Sequence, residues 1–115
     1  MQILFVCSRN RLRSPTAEAV FSEFENVVAL SAGTNSDAET PVSADLIEWA
    51  DIVFAMEPIH ARRLKQRFGK LLGKKKMVVL GIPDDFGYMD PRLMEILRKK
   101  VTPFLTGSTP DSEGL

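Results

Sequence analysis

Residues 2–15 read QILFVCSRNRLRSP and join a strand pattern to the start of a helix. The first six residues are an apolar run with β-branched and aromatic side chains, which is typical of a short strand buried on both faces. The pair Ser14 and Pro15 then resembles an N-cap followed by proline at the first helical position. The stretch from Cys7 to Ser14 therefore predicts a loop that leaves a buried strand and enters a helix.

This loop, CSRNRLRS, has the spacing Cys-x5-Arg-Ser. A loop at a helix N-terminus directs backbone N–H groups inward, and the helix dipole adds partial positive charge, so the hollow suits a phosphate dianion. The guanidinium of Arg13 can grip two phosphate oxygens, and a thiolate at Cys7 is then a nucleophile aimed at phosphorus. A single buried cysteine is usually a core residue, but the strand before the loop and the helix after it favour a functional anion-binding loop.

The remainder of the chain alternates between helical and strand patterns. Helical segments with an apolar stripe are predicted to begin near Pro15, Ser43, Pro58 and Pro91. Short apolar runs predict further strands at residues 27–31, 52–56 and 77–80. Four strands alternating with helices predict a three-layer α/β fold, with a four-stranded parallel sheet flanked by helices and a phosphate-binding loop after the first strand. In such sheets ligands bind beyond the carboxyl ends of the strands, where Cys7 and Asp84 both fall.

Composition excludes several other classes of protein. Fifteen basic and fifteen acidic side chains cancel, so nothing in the charge balance indicates nucleic acid or an anionic membrane as a partner. The N-terminal apolar run, residues 3–7, is too short for a signal peptide or a membrane span, and a cytoplasmic protein is expected. A single cysteine and a single histidine, His60, give no set with metal-ligand spacing, so neither a metal nor another cofactor is expected. His60 itself is predicted to lie at the surface.

The stretch LFVCSRNRLRSPTAEAVF, residues 4–21, resembles the opening of low-molecular-weight protein tyrosine phosphatases, whose loop reads C-x-x-N-x-x-R-S followed by proline. The segments SAGT (31–34) and ADIVFAM (50–56) resemble the same family. The resemblance implies a cysteine-dependent hydrolase of phosphomonoesters, a protein tyrosine phosphatase-like enzyme that works through a phosphocysteine. It also implies one phosphatase-like domain over residues 1–105, and residues 106–115 are expected to be a flexible tail.

The resemblance also implies roles for the loop residues. Cys7 corresponds to the family's nucleophile and Arg13 to the residue that binds the phosphoryl group. Ser14 corresponds to a serine that stabilises the thiolate, and Asn10 to an asparagine that braces the loop. The residues expected to bind the substrate are Ser8, Arg9, Asn10, Arg11, Leu12 and Ser14.

The sequence departs from the family pattern in and near the loop. Leu12 stands where many members carry a second cysteine, so Cys7 cannot be protected by a disulfide within the loop. Arg9 and Arg11 replace small or apolar residues, and they are either solvated or make the mouth unusually positive. The segment 35–42, which shapes the substrate cleft, is shortened. The partner is thus expected to be a phosphoprotein or a small phosphate ester, and phosphotyrosine and phosphoarginine both stay open, as does the oligomeric state.

The general acid in this family is an aspartate after the last strand, usually followed by proline and an aromatic residue. Asp90 keeps the literal Asp-Pro dipeptide, but its place before LMEIL predicts a helix N-cap. Asp84 lies closer to the strand end, with Phe86 nearby as the aromatic residue. We therefore expect Asp84 to be the catalytic acid, with Asp85 as the alternative.

Two other functions fit the same loop. A phosphocysteine carrier like those of sugar phosphotransfer systems also places a cysteine at the end of its first strand, but Arg13 and a nearby acid favour turnover. A non-catalytic phosphate-binding module would keep the loop and lack the acid. Arsenate reduction relies on further cysteines, and this chain has one.

Overall fold

The predicted parallel sheet is present in the computed structural model, which describes residues 1–105. Its strands are β1 (Gln2–Cys7), β2 (Val28–Gly33), β3 (Ile52–Ala55) and β4 (Lys76–Val79). All neighbouring strands pair in parallel, in the order β2-β1-β3-β4. The first strand therefore lies inside the sheet, and the loop that follows it leaves from the middle of the carboxyl edge. The predicted tail, residues 106–115, lies outside the described residues.

Helices cover both faces of this sheet and complete the three predicted layers. They are α1 (Arg13–Phe21), α2 (Ala44–Trp49), α3 (Pro58–Leu72) and α4 (Pro91–Val101), followed by a 3₁₀ turn at Thr102–Phe104. Alternate residues of β1 point to opposite faces, as the period of a strand requires. Phe5 packs in the core under α1 and α4, and Leu4 packs in the core under α2 and α3.

Polar residues cap three of the four helices, and the predicted cap at Asp90 is confirmed. Ser43 accepts a hydrogen bond from the backbone of α2, Glu57 is the N-cap of α3, and Asp90 is the N-cap of α4. Ser14 is not the N-cap of α1, because the helix begins at Arg13. The hydroxyl of Ser14 is thereby left to bond within the loop. Within the described part of the chain, no helix is long and apolar enough to cross a membrane.

Candidate active site

The site lies at the carboxyl end of β1, between the ends of β2 and β3. Cys7 is the last residue of β1 and is 4% exposed. Asn10 adopts a left-handed conformation with φ of 58°, which asparagine tolerates better than most residues. This turn brings the backbone N–H of Asn10 to 3.3 Å from the sulfur of Cys7. The loop thus folds back over its own cysteine before entering α1.

A chain of hydrogen bonds fixes which group donates to that sulfur. The hydroxyl of Ser31 donates to the carboxylate of Glu18 at 2.6 Å, so Ser31 can only accept from Asn10 Nδ2, at 2.9 Å. The other Nδ2 hydrogen of Asn10 goes to the hydroxyl of Ser14 at 3.0 Å. Ser14 therefore has its own hydrogen free to donate, and Cys7 Sγ at 3.0 Å lies nearer to it than its other acceptor, the carbonyl oxygen of Ala32 at 3.5 Å. A donor held there stabilises the thiolate form of Cys7.

The guanidinium of Arg13 is oriented by two acceptors. Its Nη1 donates to Glu57 Oε1 at 2.6 Å and to the carbonyl oxygen of Ile82 at 2.8 Å, and its side chain is 4% exposed. Its Nε is buried and has no hydrogen-bond partner among residues 1–105, and Asp84 Oδ1 lies 3.7 Å away. Buried N–H groups of native proteins nearly always have an acceptor, so this one marks a position for a ligand oxygen.

The three candidate acids occupy different surroundings. Asp84 follows β4, lines the cleft beside Arg13 and has a 66% exposed side chain. Asp85 is exposed and is not part of the cleft wall. Asp90 accepts from the backbone N–H of Arg92 at 2.9 Å and pairs with its guanidinium, which lowers the pKa of Asp90. Asp90 is thus a helix cap held in the ionised form, as the sequence predicted for its cap role.

His60 is a component of the site that the sequence reasoning missed. The prediction that it lies at the surface is wrong, because the residue is fully buried. Its Nδ1 accepts from the backbone N–H of Glu57 at 3.1 Å, so the hydrogen sits on Nε2, which lies 2.9 Å from the hydroxyl of Ser8. Burial, together with the charge of Arg13, lowers the pKa of His60 to about 4. A neutral imidazole therefore links the start of α3 to the loop.

The segment after β2 holds the loop from the other side. Backbone N–H groups of Thr34, Asn35 and Glu39 donate to the loop carbonyls. A Cβ added to Gly33 would lie 2.5 Å from the carbonyl oxygen of Ser8, so only glycine fits at this contact. The sequence signal for this contact is the segment SAGT.

The site opens into a cleft of about 730 Å³. Six of the residues predicted to act on the phosphoryl group or the substrate line it together with Asp84: Cys7, Ser8, Arg9, Arg11, Leu12 and Arg13. Asn10 and Ser14 are buried behind the loop, where they fix its shape. Asn35 and Arg63 complete the wall. Within residues 1–105, no three His, Cys, Asp or Glu side chains are grouped so that they could hold a metal ion.

Known proteins share this arrangement of elements. The low molecular weight protein tyrosine phosphatase of Streptococcus pyogenes superposes with a TM-score of 0.75 over 92% of this chain and 94% of that chain; at 15% identity, this likeness shows the fold alone. A C7S mutant of the YwlE arginine phosphatase with a phosphorylated active site serine gives a TM-score of 0.69 at 27% identity, over 86% of this chain and 92% of that chain.

A curated relative decides the family. The protein-arginine-phosphatase of Bacillus subtilis is 32% identical over 101 residues, which cover 64% of this chain and 67% of that protein. The chain belongs to the low-molecular-weight protein tyrosine phosphatase family. The resemblance inferred from the residues is confirmed, and the chain is a cysteine-dependent phosphatase of this family. No family model matches the chain.

Proposed function

We propose that this phosphatase hydrolyses aryl phosphate monoesters, phosphotyrosine in proteins above all, through a phosphocysteine on Cys7. Arg13 binds the phosphoryl group, and Asp84 is the acid. The observation that carries the proposal is the buried, unpartnered Nε of Arg13 beside the sulfur-bearing loop. A phosphate oxygen supplies the acceptor that this N–H lacks among the described residues. The guanidinium that would hold this oxygen is already oriented, because its Nη1 donates to Glu57.

The first chemical step forms a bond between Cys7 Sγ and phosphorus and breaks the bond from phosphorus to the leaving oxygen. The carboxyl group of Asp84 gives its proton to that oxygen, so the leaving group departs neutral. The N–H of Asn10 and the hydroxyl of Ser14 both contact the sulfur that attacks. The mutant YwlE structure, in which the active site serine is phosphorylated, supports covalent phosphoryl transfer in a relative.

The second step returns the enzyme to its starting state. The carboxylate of Asp84 accepts a proton from water, the water oxygen attacks phosphorus, and the sulfur–phosphorus bond breaks to give inorganic phosphate and the Cys7 thiolate. An acid in the cleft wall favours this turnover over a stable phosphocysteine carrier and over a non-catalytic binding module.

The charge of the cleft wall favours phosphotyrosine over phosphoarginine. Arg9, Arg11 and Arg63 line the cleft, and a guanidinium leaving group would meet these cations at close range. A phenol carries no such charge. The relative from Bacillus subtilis is named for arginine phosphate, so this chain is proposed to differ from it in substrate.

The test is a comparison of matched peptides that carry phosphotyrosine or phosphoarginine, assayed with wild type, Cys7→Ser and Arg13→Lys. We expect wild type to prefer phosphotyrosine, and Cys7→Ser to lose activity by at least about 10³-fold, since the nucleophile is gone. Arg13→Lys keeps the charge but loses the forked grip, so it should also lose most activity. Arg62→Gln, an exposed residue of α3 outside the cleft wall, is the control. Full activity in Cys7→Ser contradicts the mechanism, and faster release from phosphoarginine contradicts the substrate.

A further inference from the structure

The wall of the cleft carries more positive charge than one phosphoryl group needs. Arg13 serves the phosphoryl position, yet Arg9, Arg11 and Arg63 also line the cleft. Within the described part of the chain, Asp84 supplies the one carboxylate of that wall. The whole chain has equal numbers of basic and acidic side chains, so the positive field is a local property of this cleft.

The three outer arginines keep their charge available to a ligand. Arg63 donates to the neutral amide oxygen of Asn35 at 3.3 Å, which orients it without cancelling its charge. Arg11 lies 3.7 Å from the carboxylate of Glu39, and the two side chains are 55% and 65% exposed, so water weakens this pair. Arg9 forms no ion pair with any residue that the structure describes.

The backbone that carries two of these arginines is held in place. The carbonyl oxygen of Ser8 accepts from the N–H of Asn35, and that of Arg9 accepts from the N–H of Glu39. Arg63 reaches the cleft from α3, on a separate element. Positive groups from two fixed elements thus converge on one opening, which is the arrangement of a binding subsite rather than of scattered solvated charges.

We infer that Arg9, Arg11 and Arg63 form a second anion subsite. The inference rests on the proposed phosphatase function and narrows it. The substrate carries, besides the phosphate that is cleaved, a second anionic group, a carboxylate or a phosphate, which these arginines bind. A neutral group at the same position gains nothing from the field, so the subsite selects among phosphate esters of similar shape.

The test uses two aryl phosphates that differ in one charge: meta-carboxymethylphenyl phosphate and its amide, meta-carbamoylmethylphenyl phosphate. The methylene group insulates the ring, so the two leaving phenols have nearly the same basicity. We expect wild type to show a kcat/KM about fivefold or more higher for the acid, which is the upper range for one exposed ion pair. Raising the salt concentration should reduce this ratio, because the subsite is open to solvent.

Variants identify the arginines that produce the ratio. Arg9→Gln, Arg11→Gln and Arg63→Gln should each lower the preference for the acid, and the triple variant should abolish it. The ratio of the kcat/KM values for the two substrates does not change when a substitution slows phosphoryl transfer equally for both. Arg62→Gln neighbours Arg63 on α3 but does not line the cleft, so it should keep the wild-type ratio. Equal rates for both substrates in wild type, with activity dependent on Cys7, overturn the subsite and leave the proposed function standing.

Binding to Cys7→Ser, measured by calorimetry with the same two compounds, tests the subsite without turnover. The acid should bind about fivefold tighter, and the triple arginine variant should remove the difference. If neither compound binds and neither is hydrolysed, the subsite and the proposed function both fail.

Phosphotyrosine peptides with flanking Glu or flanking Gln then assign the source of the anion. A Glu preference that requires the arginines indicates an acidic phosphoprotein, whereas its absence beside a preference for the small acid indicates a small substrate.

Discussion

The buried histidine gives a stability prediction with a definite size. His60 is fully buried, its pKa is about 4 in the fold, and a free histidine titrates near 6.5. Between these values the unfolded chain binds a proton that the folded chain does not. The free energy of unfolding therefore rises with pH through this window. The contribution of the neutral His60 to that free energy is lost as the pH falls from 6.5 towards 4. Each tenfold difference in proton affinity corresponds to about 1.4 kcal/mol, so the loss is about 3 kcal/mol.

The matched variant is His60→Gln. Glutamine at this position of a helix start can accept from the backbone N–H of Glu57, as in a capping box, but it has no proton to gain. Urea unfolding from about pH 7 down to about pH 4.5 should show wild type losing about 2 to 3 kcal/mol relative to the variant. The comparison uses the slope of the free energy of unfolding against pH in each protein. A constant cost of the substitution does not change this slope, and the titration of the carboxylates is the same in both proteins. If the free energies of unfolding of the two proteins change in parallel with pH, His60 is not held neutral in the fold.

Four further predictions test the site. Asp84→Asn should slow turnover of phosphate esters with poor leaving groups by roughly 10²- to 10⁴-fold, and good leaving groups less, while Asp85→Asn should behave as wild type in the same steady-state assay. Ser14→Ala removes the hydroxyl that lies 3.0 Å from Cys7 Sγ; we expect kcat to fall about tenfold, and an unchanged kcat contradicts the network. Gly33→Ala should cost about 1–3 kcal/mol in chemical denaturation and weaken vanadate binding, because its Cβ would overlap the loop backbone. A chelator should leave hydrolysis of p-nitrophenyl phosphate intact, and a loss restored by metal contradicts a purely cysteine-based reaction.

Most of the fold was readable from the sequence because its signals are local. Short apolar runs between the helical segments predict four strands, and the structure places these strands within two residues of the predicted bounds. Proline after a polar residue marked the starts of α3 and α4. The same rule failed at Ser14, since the helix begins two residues earlier than predicted, at Arg13, and the Ser14 hydroxyl lies beside Cys7 instead.

The parts of the site that the sequence could not give depend on contacts between distant residues. Glu57 directly precedes the proline that marks the start of α3, but its pairing with Arg13, 44 residues away, follows only from the sheet order. His60 falls outside the apolar stripe predicted for its helix, and its contact with Ser8, 52 residues away in the chain, appears only once the sheet has formed. Asp84, in contrast, was expected in the cleft because a residue that follows a parallel strand lies at the ligand edge, and the structure places it there.

Isolation of the covalent intermediate tests the phosphocysteine mechanism. The Asp84→Asn variant should accumulate this intermediate with p-nitrophenyl phosphate, because this leaving group needs little acid help whereas the attacking water loses its base. Acid quench during turnover, followed by mass spectrometry of the peptide that holds Cys7, should show one phosphoryl group on the cysteine sulfur, absent without substrate. Turnover with no phosphoryl group on Cys7, or with one on a different residue, contradicts a phosphocysteine mechanism.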